Sequence, residues 1–159
     1  KLPLSTASCA TTISVKGSRA ATACVSSPAR HQAFSAATAR AALPDAATKE
    51  RAWSAAVGDP SLSNAEAHAL ARGVWQVGQD DLLAPYVDRY VTELPRLWAT
   101  RTPEVVGRLT ELLFPSTLVR QDVLDRTAPL LQDHHPAGLR RLVAEQRDDL
   151  RRALAARAL

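Results

Sequence analysis

Four histidines, His31, His68, His134 and His135, are the residues best suited to hold a metal or move a proton. A zinc-hydrolase helix needs two histidines at i and i+4, so that both imidazoles reach one metal with a glutamate between them as base. No pair here has that spacing. His134 and His135 are adjacent, and neighbours in sequence point in different directions on a helix; lying just before Pro136, they read as a surface turn. Two acidic pairs, Asp80-Asp81 and Asp148-Asp149, have the residue type for general acid–base work. The first falls where a helix needs a cap and the second on a charged helix face, so both read as structural. Cys9 and Cys24 stand 15 apart, a spacing that defines neither a metal site nor a disulfide framework, and they read as two free thiols. A G-x-S-x-G elbow and a glycine-rich phosphate loop are both lacking in a chain with six glycines. The expectation is a chain without catalytic, cofactor-binding or metal-binding residues of its own.

Charge narrows the partners further. Residues 1–44 carry Lys1, Lys16, Arg19, Arg30 and Arg40 and no acid, a net of +5, while residues 45–159 sum to −1. The basic balance therefore belongs to the first part of the chain. The rest lacks the one-sided clustering of cations that phosphate binding requires, so no nucleic-acid partner is expected. There is no run of 18 apolar residues and no apolar stretch long enough for a secretory signal, so neither a membrane nor export is expected, and the location reads as cytoplasmic. The chain begins at Lys1 and contains no methionine, which suggests a piece of a longer product.

The elements that would position these residues are helical. Hydrophobic residues make up 46% of the chain and aromatics only 4%, so the core must be built from Leu, Ala and Val, a composition of closely packed helices. Residues 1–29 are Ser/Thr/Ala-rich, free of acids and without sustained periodicity, and read as a disordered or non-native tail ahead of a helical domain over 30–159. HQAFSAATARAAL suggests a short Ala-rich helix ended by Leu43-Pro44. Six further helices are expected from Asp45 onward. Asp45 caps one with Ala52, Trp53, Ala56 and Val57 on a single face. Ser63 and Glu66 form a capping box for the next, with Gly78 as its C-terminal cap residue. Asp80 or Asp81 caps a long third, from Leu82 to Trp98, with Pro85 in its first turn and a kink at Pro95. Thr102-Pro103-Glu104 starts a fourth and Ser116 or Thr117 a fifth, interrupted at Pro129. Pro136 opens a sixth whose buried stripe is Leu139, Leu142, Val143, Gln146, Leu150 and Leu154. Trp53, Trp75 and Trp98 recur at intervals of 22 and 23 without other self-similarity, so they read as core anchors rather than as a repeat. Short connections imply antiparallel helical hairpins, stacked in a HEAT-like (α-solenoid) array.

The stretches PDAATKERAW, LLAPYVDRYVTELPRLW, the LLFPS junction and PAGLRRLVAEQRDDLRRALAAR, in that order, resemble the C-terminal helical domain of bacterial aminopeptidase N, a family of gluzincin zinc metalloaminopeptidases. The resemblance covers about three-quarters of the chain and is closest to actinobacterial members, in keeping with 17 arginines against 3 lysines. It implies a parent that removes N-terminal residues from peptides, using zinc held by an H-E-x-x-H helix and a G-x-M-E-N loop that grips the substrate amine. Neither motif is in this chain. The resemblance therefore implies a non-catalytic domain that covers the catalytic domain of the same parent and restricts access of peptide substrates. A free-standing helical module that binds a partner helix or peptide is the alternative. Arg89, Arg101, Arg140 and Arg141 have the chemistry to meet a peptide carboxylate but read as solvated surface arginines.

Overall fold

The computed structural model describes residues 28–158, and side chains from residue 31. The expectations for the Ser/Thr/Ala-rich tail, Cys9 and Cys24 lie outside the described residues. Every regular element among those residues is helical: α1 (Pro28–Ala41), α2 (Ala46–Gly58), α3 (Asn64–Val74), α4 (Asp80–Leu83), α5 (Pro85–Thr100), α6 (Pro103–Leu112), α7 (Gln121–Thr127), a 3-10 turn (Ala128–Leu131) and α8 (Ala137–Arg157). The all-α expectation holds.

Local chemistry sets most of the boundaries. Asp45 caps α2, its carboxylate accepting from the Thr48 amide at 2.7 Å. The Ser63–Glu66 capping box is made in both directions, the Ser63 amide donating to Glu66 at 2.9 Å and the Glu66 amide to Ser63 Oγ at 3.3 Å.

Four expectations need correction. α3 ends at Val74, and Gly78 lies beyond it as the described residue with a positive φ, +80°, so it shapes the following turn rather than the cap. The long third helix is two: Pro85 has no amide to donate, and the ladder breaks at Ala84, leaving α4 and α5 nearly continuous. Asp80 and Asp81 lie inside the first turn of α4 and cap nothing; the cap position is Gln79, without a side-chain bond. α7 starts at Gln121 rather than Ser116 or Thr117, because the segment after Pro115 is an irregular turn that buries Leu118. α5 continues through Pro95 to Thr100, and Thr102 holds its expected cap position without a side-chain bond.

α1, α3, α6 and α8 pack in succession as one row, and α5 and α7 lie in a second row with α2, which is joined to α5 through side chains. That stacking is consistent with a hairpin array. One continuous core runs between the rows, from Ala41 through Trp53, Trp75, Val87, Tyr90, Leu109, Phe114 and Leu130 to Leu150. Trp53 and Trp75 meet edge to face at 6.3 Å, and Trp75 Nε1 donates to Leu113 O at 2.8 Å. These two are core anchors, as their spacing suggested; Trp98 is only half-buried, its Nε1 donating to Thr110 Oγ1 at 3.0 Å. On α8 the buried stripe is Leu139, Leu142, Val143 and Leu150, with Arg147 in the place expected of Gln146.

Candidate functional site

The face formed by α2 and α5 groups charged and aromatic side chains. The helical period of α2 brings Glu50 and Trp53 toward α5, and that of α5 aligns Tyr86, Arg89 and Glu93. The Arg89 guanidinium donates to Glu50 at 2.6 Å and to Glu93 at 2.9 Å. It also sits 5.6 Å from the Trp53 ring centre and 5.5 Å from that of Tyr86. Trp53 Nε1 donates to Glu93 at 2.7 Å, so each carboxylate has fixed partners. Hydrogen bonds from Ser54 and Arg89 hold the Glu50 carboxyl below its usual range, while burial raises the Tyr86 hydroxyl. Arg89 is thus a cation held between two anions and two rings, rigid and already neutralised.

Two open clefts flank this cluster on the same face. One, of about 540 Å³, is lined by Ala46, Glu50, Pro85, Tyr86 and Arg89. The other, of about 640 Å³, is lined by Val57, Pro60, Glu93, Arg96 and Arg101. Arg101 donates to the carbonyls of Val57 at 3.2 Å and Asp59 at 3.5 Å, closing the carboxyl end of α2. The face has the shape and polarity to lie along a peptide or a protein surface. It holds no nucleophile–base pair and no set of metal ligands.

The other residues singled out by type are dispersed. His31 and His68 share a cleft of about 750 Å³ between α1 and α3 with Phe34, Thr38 and Arg72, and no carboxylate lines it. Burial lowers the His68 imidazole, whose Nε2 lies 3.4 Å from Val105 O. The His134 and His135 rings lie 4.0 Å apart, tilted by 47°, in the turn before α8. Arg140 pairs with Asp133, and Arg141 with Glu145 at 3.2 Å, so the four arginines do not converge. Among the described residues no three His, Cys, Asp or Glu side chains are grouped to hold a metal ion. The residues present therefore do not fit a zinc centre. Asp148 and Asp149 pair with Arg151 and Arg152 on the exposed side of α8.

One buried polar group escaped sequence reasoning. Lys49 is completely buried, and its Nζ donates to Val74 O at 2.6 Å, Ala41 O at 2.8 Å and Gly73 O at 3.2 Å. All three ammonium protons are spent on the carboxyl ends of α1 and α3, where the helix dipoles are negative. The signal was present: Lys49 stands three and four residues before Ala52 and Trp53, on the apolar stripe. Its role is structural, and it joins α1, α2 and α3.

Comparison with known proteins places this arrangement. The model of the ERAP1-like C-terminal domain family matches residues 21–152. An aminopeptidase N from Streptomyces lividans is 44% identical over 124 residues, covering 77% of this chain and 14% of that protein's length.

Proposed function

The chain belongs to the ERAP1-like C-terminal domain family, and from that premise we infer that it is the non-catalytic helical domain of a zinc aminopeptidase. In this reading it covers the catalytic domain of the same parent and limits which peptides reach the active site. The observation that carries it is the 44% identity to a stretch amounting to 14% of an aminopeptidase N. The remaining length of such a protein has room for the zinc ligands that these helices do not supply. A curved helical array excludes water and restricts substrate length by shape alone, without metal ligands of its own. The α2–α5 face, with its immobilised Arg89 and two flanking clefts, is the surface we assign to that work.

The test has two arms. The isolated chain, with added zinc, is assayed on aminoacyl anilides, and no turnover above a zinc blank is expected; appreciable hydrolysis would overturn the non-catalytic reading. In the second arm the matching segment of the Streptomyces lividans enzyme is either deleted or replaced by residues 28–159 of this chain. The replaced enzyme is expected to keep the parent's relative rates on short and long peptides, and the deleted one to lose them. Identical length profiles for parent and deletion would sink the covering role.

A further inference from the structure

α1 closes one end of the helix row, as α8 closes the other, and it leans mainly on α3. Apolar burial does little to hold it there. Of its side chains from residue 31 on, Ala41 is the one that is buried and belongs to the core; Phe34 is half-buried, and the rest are half-buried or exposed. The methyl group of Ala41 contributes little beside the Leu, Val and aromatic side chains that the other helices bury.

Hydrogen bonds stand in its place, in the last turn of α1 and just past it. Thr38 Oγ1 donates to Ala69 O at 2.8 Å, Lys49 Nζ to Ala41 O at 2.8 Å, and Gln79 Nε2 to Ala42 O at 3.0 Å. Thr38 and Ala41 also lie against Gly73, which has no room for a Cβ. Among the described residues the amino-terminal half of α1 makes no such bond to another helix. Beyond Ala42 the chain turns at an exposed Leu43 and at Pro44, which has no amide to donate.

We propose that α1 is a strap fastened by a polar latch at its carboxyl end, and that it opens as a unit about Leu43-Pro44 while α2 to α8 stay folded. Opening carries the Ala41 carbonyl away from Lys49 and leaves the ammonium with Gly73 O and Val74 O. It also bares Ala69 and Gly73 of α3, which are covered while the latch holds. Freed of α3, a helix of 14 residues is marginal in water, so α1 unwinds as it opens. The open form is a minor species within the native state, which keeps bulk unfolding a single transition. The inference is independent of the peptidase reading and uses none of the α2–α5 cluster.

Native-state hydrogen exchange of the full chain, followed residue by residue at rising urea, is the test. The amides of residues 33–42 are expected to exchange to a common extent and about a hundredfold faster than those of Tyr90 to Leu94 in α5. Their urea dependence should be the weaker, because this opening exposes little surface. Val143→Ala, in the buried stripe of α8, weakens the closed and open forms alike. It should speed exchange at Tyr90 to Leu94 by about tenfold or more and leave residues 33–42 unchanged. Thr38→Val removes a latch bond with little change of shape and should speed exchange of residues 33–42 about tenfold, whereas Thr38→Ser, which keeps the donor, should not. Exchange of residues 33–42 in step with α5, in urea or in Val143→Ala, would overturn the proposal, because α1 would then open only in global unfolding. So would unprotected exchange of α1 in the wild type, or equal effects of the two Thr38 variants, since either means that no latch holds it.

Discussion

A lysine with no access to solvent is costly, because removing an ammonium from water is repaid only where its donors are all used. Lys49 meets that condition with three backbone carbonyls, each at the open end of a helix. Replacing it with methionine keeps the aliphatic stem but strands three acceptors, and is expected to cost about 2–3 kcal/mol in urea denaturation. Burial outweighs the carbonyls in its titration, and the ammonium is pulled down to about 8 from the usual 10.5. The folded protein therefore holds fewer protons than the unfolded chain between those values. The pH-dependent part of the Lys49 contribution to stability rises with pH across that window, is complete above 10.5 and is lost as pH falls through 8. The wild type should gain stability relative to Lys49→Met from pH 8 to pH 10. A constant difference between the two across that range would contradict the assignment. Tyr90, wholly buried and donating to Thr110 O at 3.0 Å, is pushed upward by burial and acts in the opposite sense only at higher pH.

Between elements, close approach decides what a substitution does. α1 and α3 meet across small residues, with Thr38 Oγ1 donating to Ala69 O at 2.8 Å. A Cβ on Gly73 would stand 2.4 Å from Thr38 O and 2.6 Å from Ala41 Cβ, and neither backbone nor a methyl can yield. Gly73→Ala should therefore push the two helices apart at a cost of about 2–3 kcal/mol, read as a lowered Tm. Gly107 is also helical, yet a Cβ there would meet only Leu142 Cδ1 at 3.6 Å, an ordinary contact. Gly107→Ala should leave the packing intact and gain up to about 0.8 kcal/mol from helix propensity. Equal effects at the two glycines would show that propensity, not approach, governs both. Removing one half of the capping box with Ser63→Ala should cost about 1 kcal/mol in the same measurement.

At the scale of the molecule the core is continuous from Ala41 to Leu150, so among the described residues no group of helices has an apolar interior of its own. Unfolding should be one transition, with tryptophan fluorescence and far-ultraviolet circular dichroism giving coincident midpoints; separated midpoints would reveal two cooperative units. The sequence by itself determined the helical class, the start of α2 at Asp45 and of α3 at Ser63, and most of the stripe on α8. These follow from caps and from a period of 3.6, which depend on neighbours a few residues away. The resemblance pointed to the family that the comparison then established. What only the tertiary structure decided depends on residues distant in the chain. The α4–α5 break follows from Pro85 next to it, but the Ala84 carbonyl there accepts from Arg126 at 3.2 Å, a partner 42 residues later that only the fold supplies. The late start of α7 follows from burying Leu118, and Arg147 replaces Gln146 because its guanidinium reaches Leu124 O and Thr127 Oγ1 beneath α7. Lys49 and the Arg89 cluster have the same origin. Each is an arrangement of partners from more than one helix, and spacing along one helix carries no information about which other element will supply them.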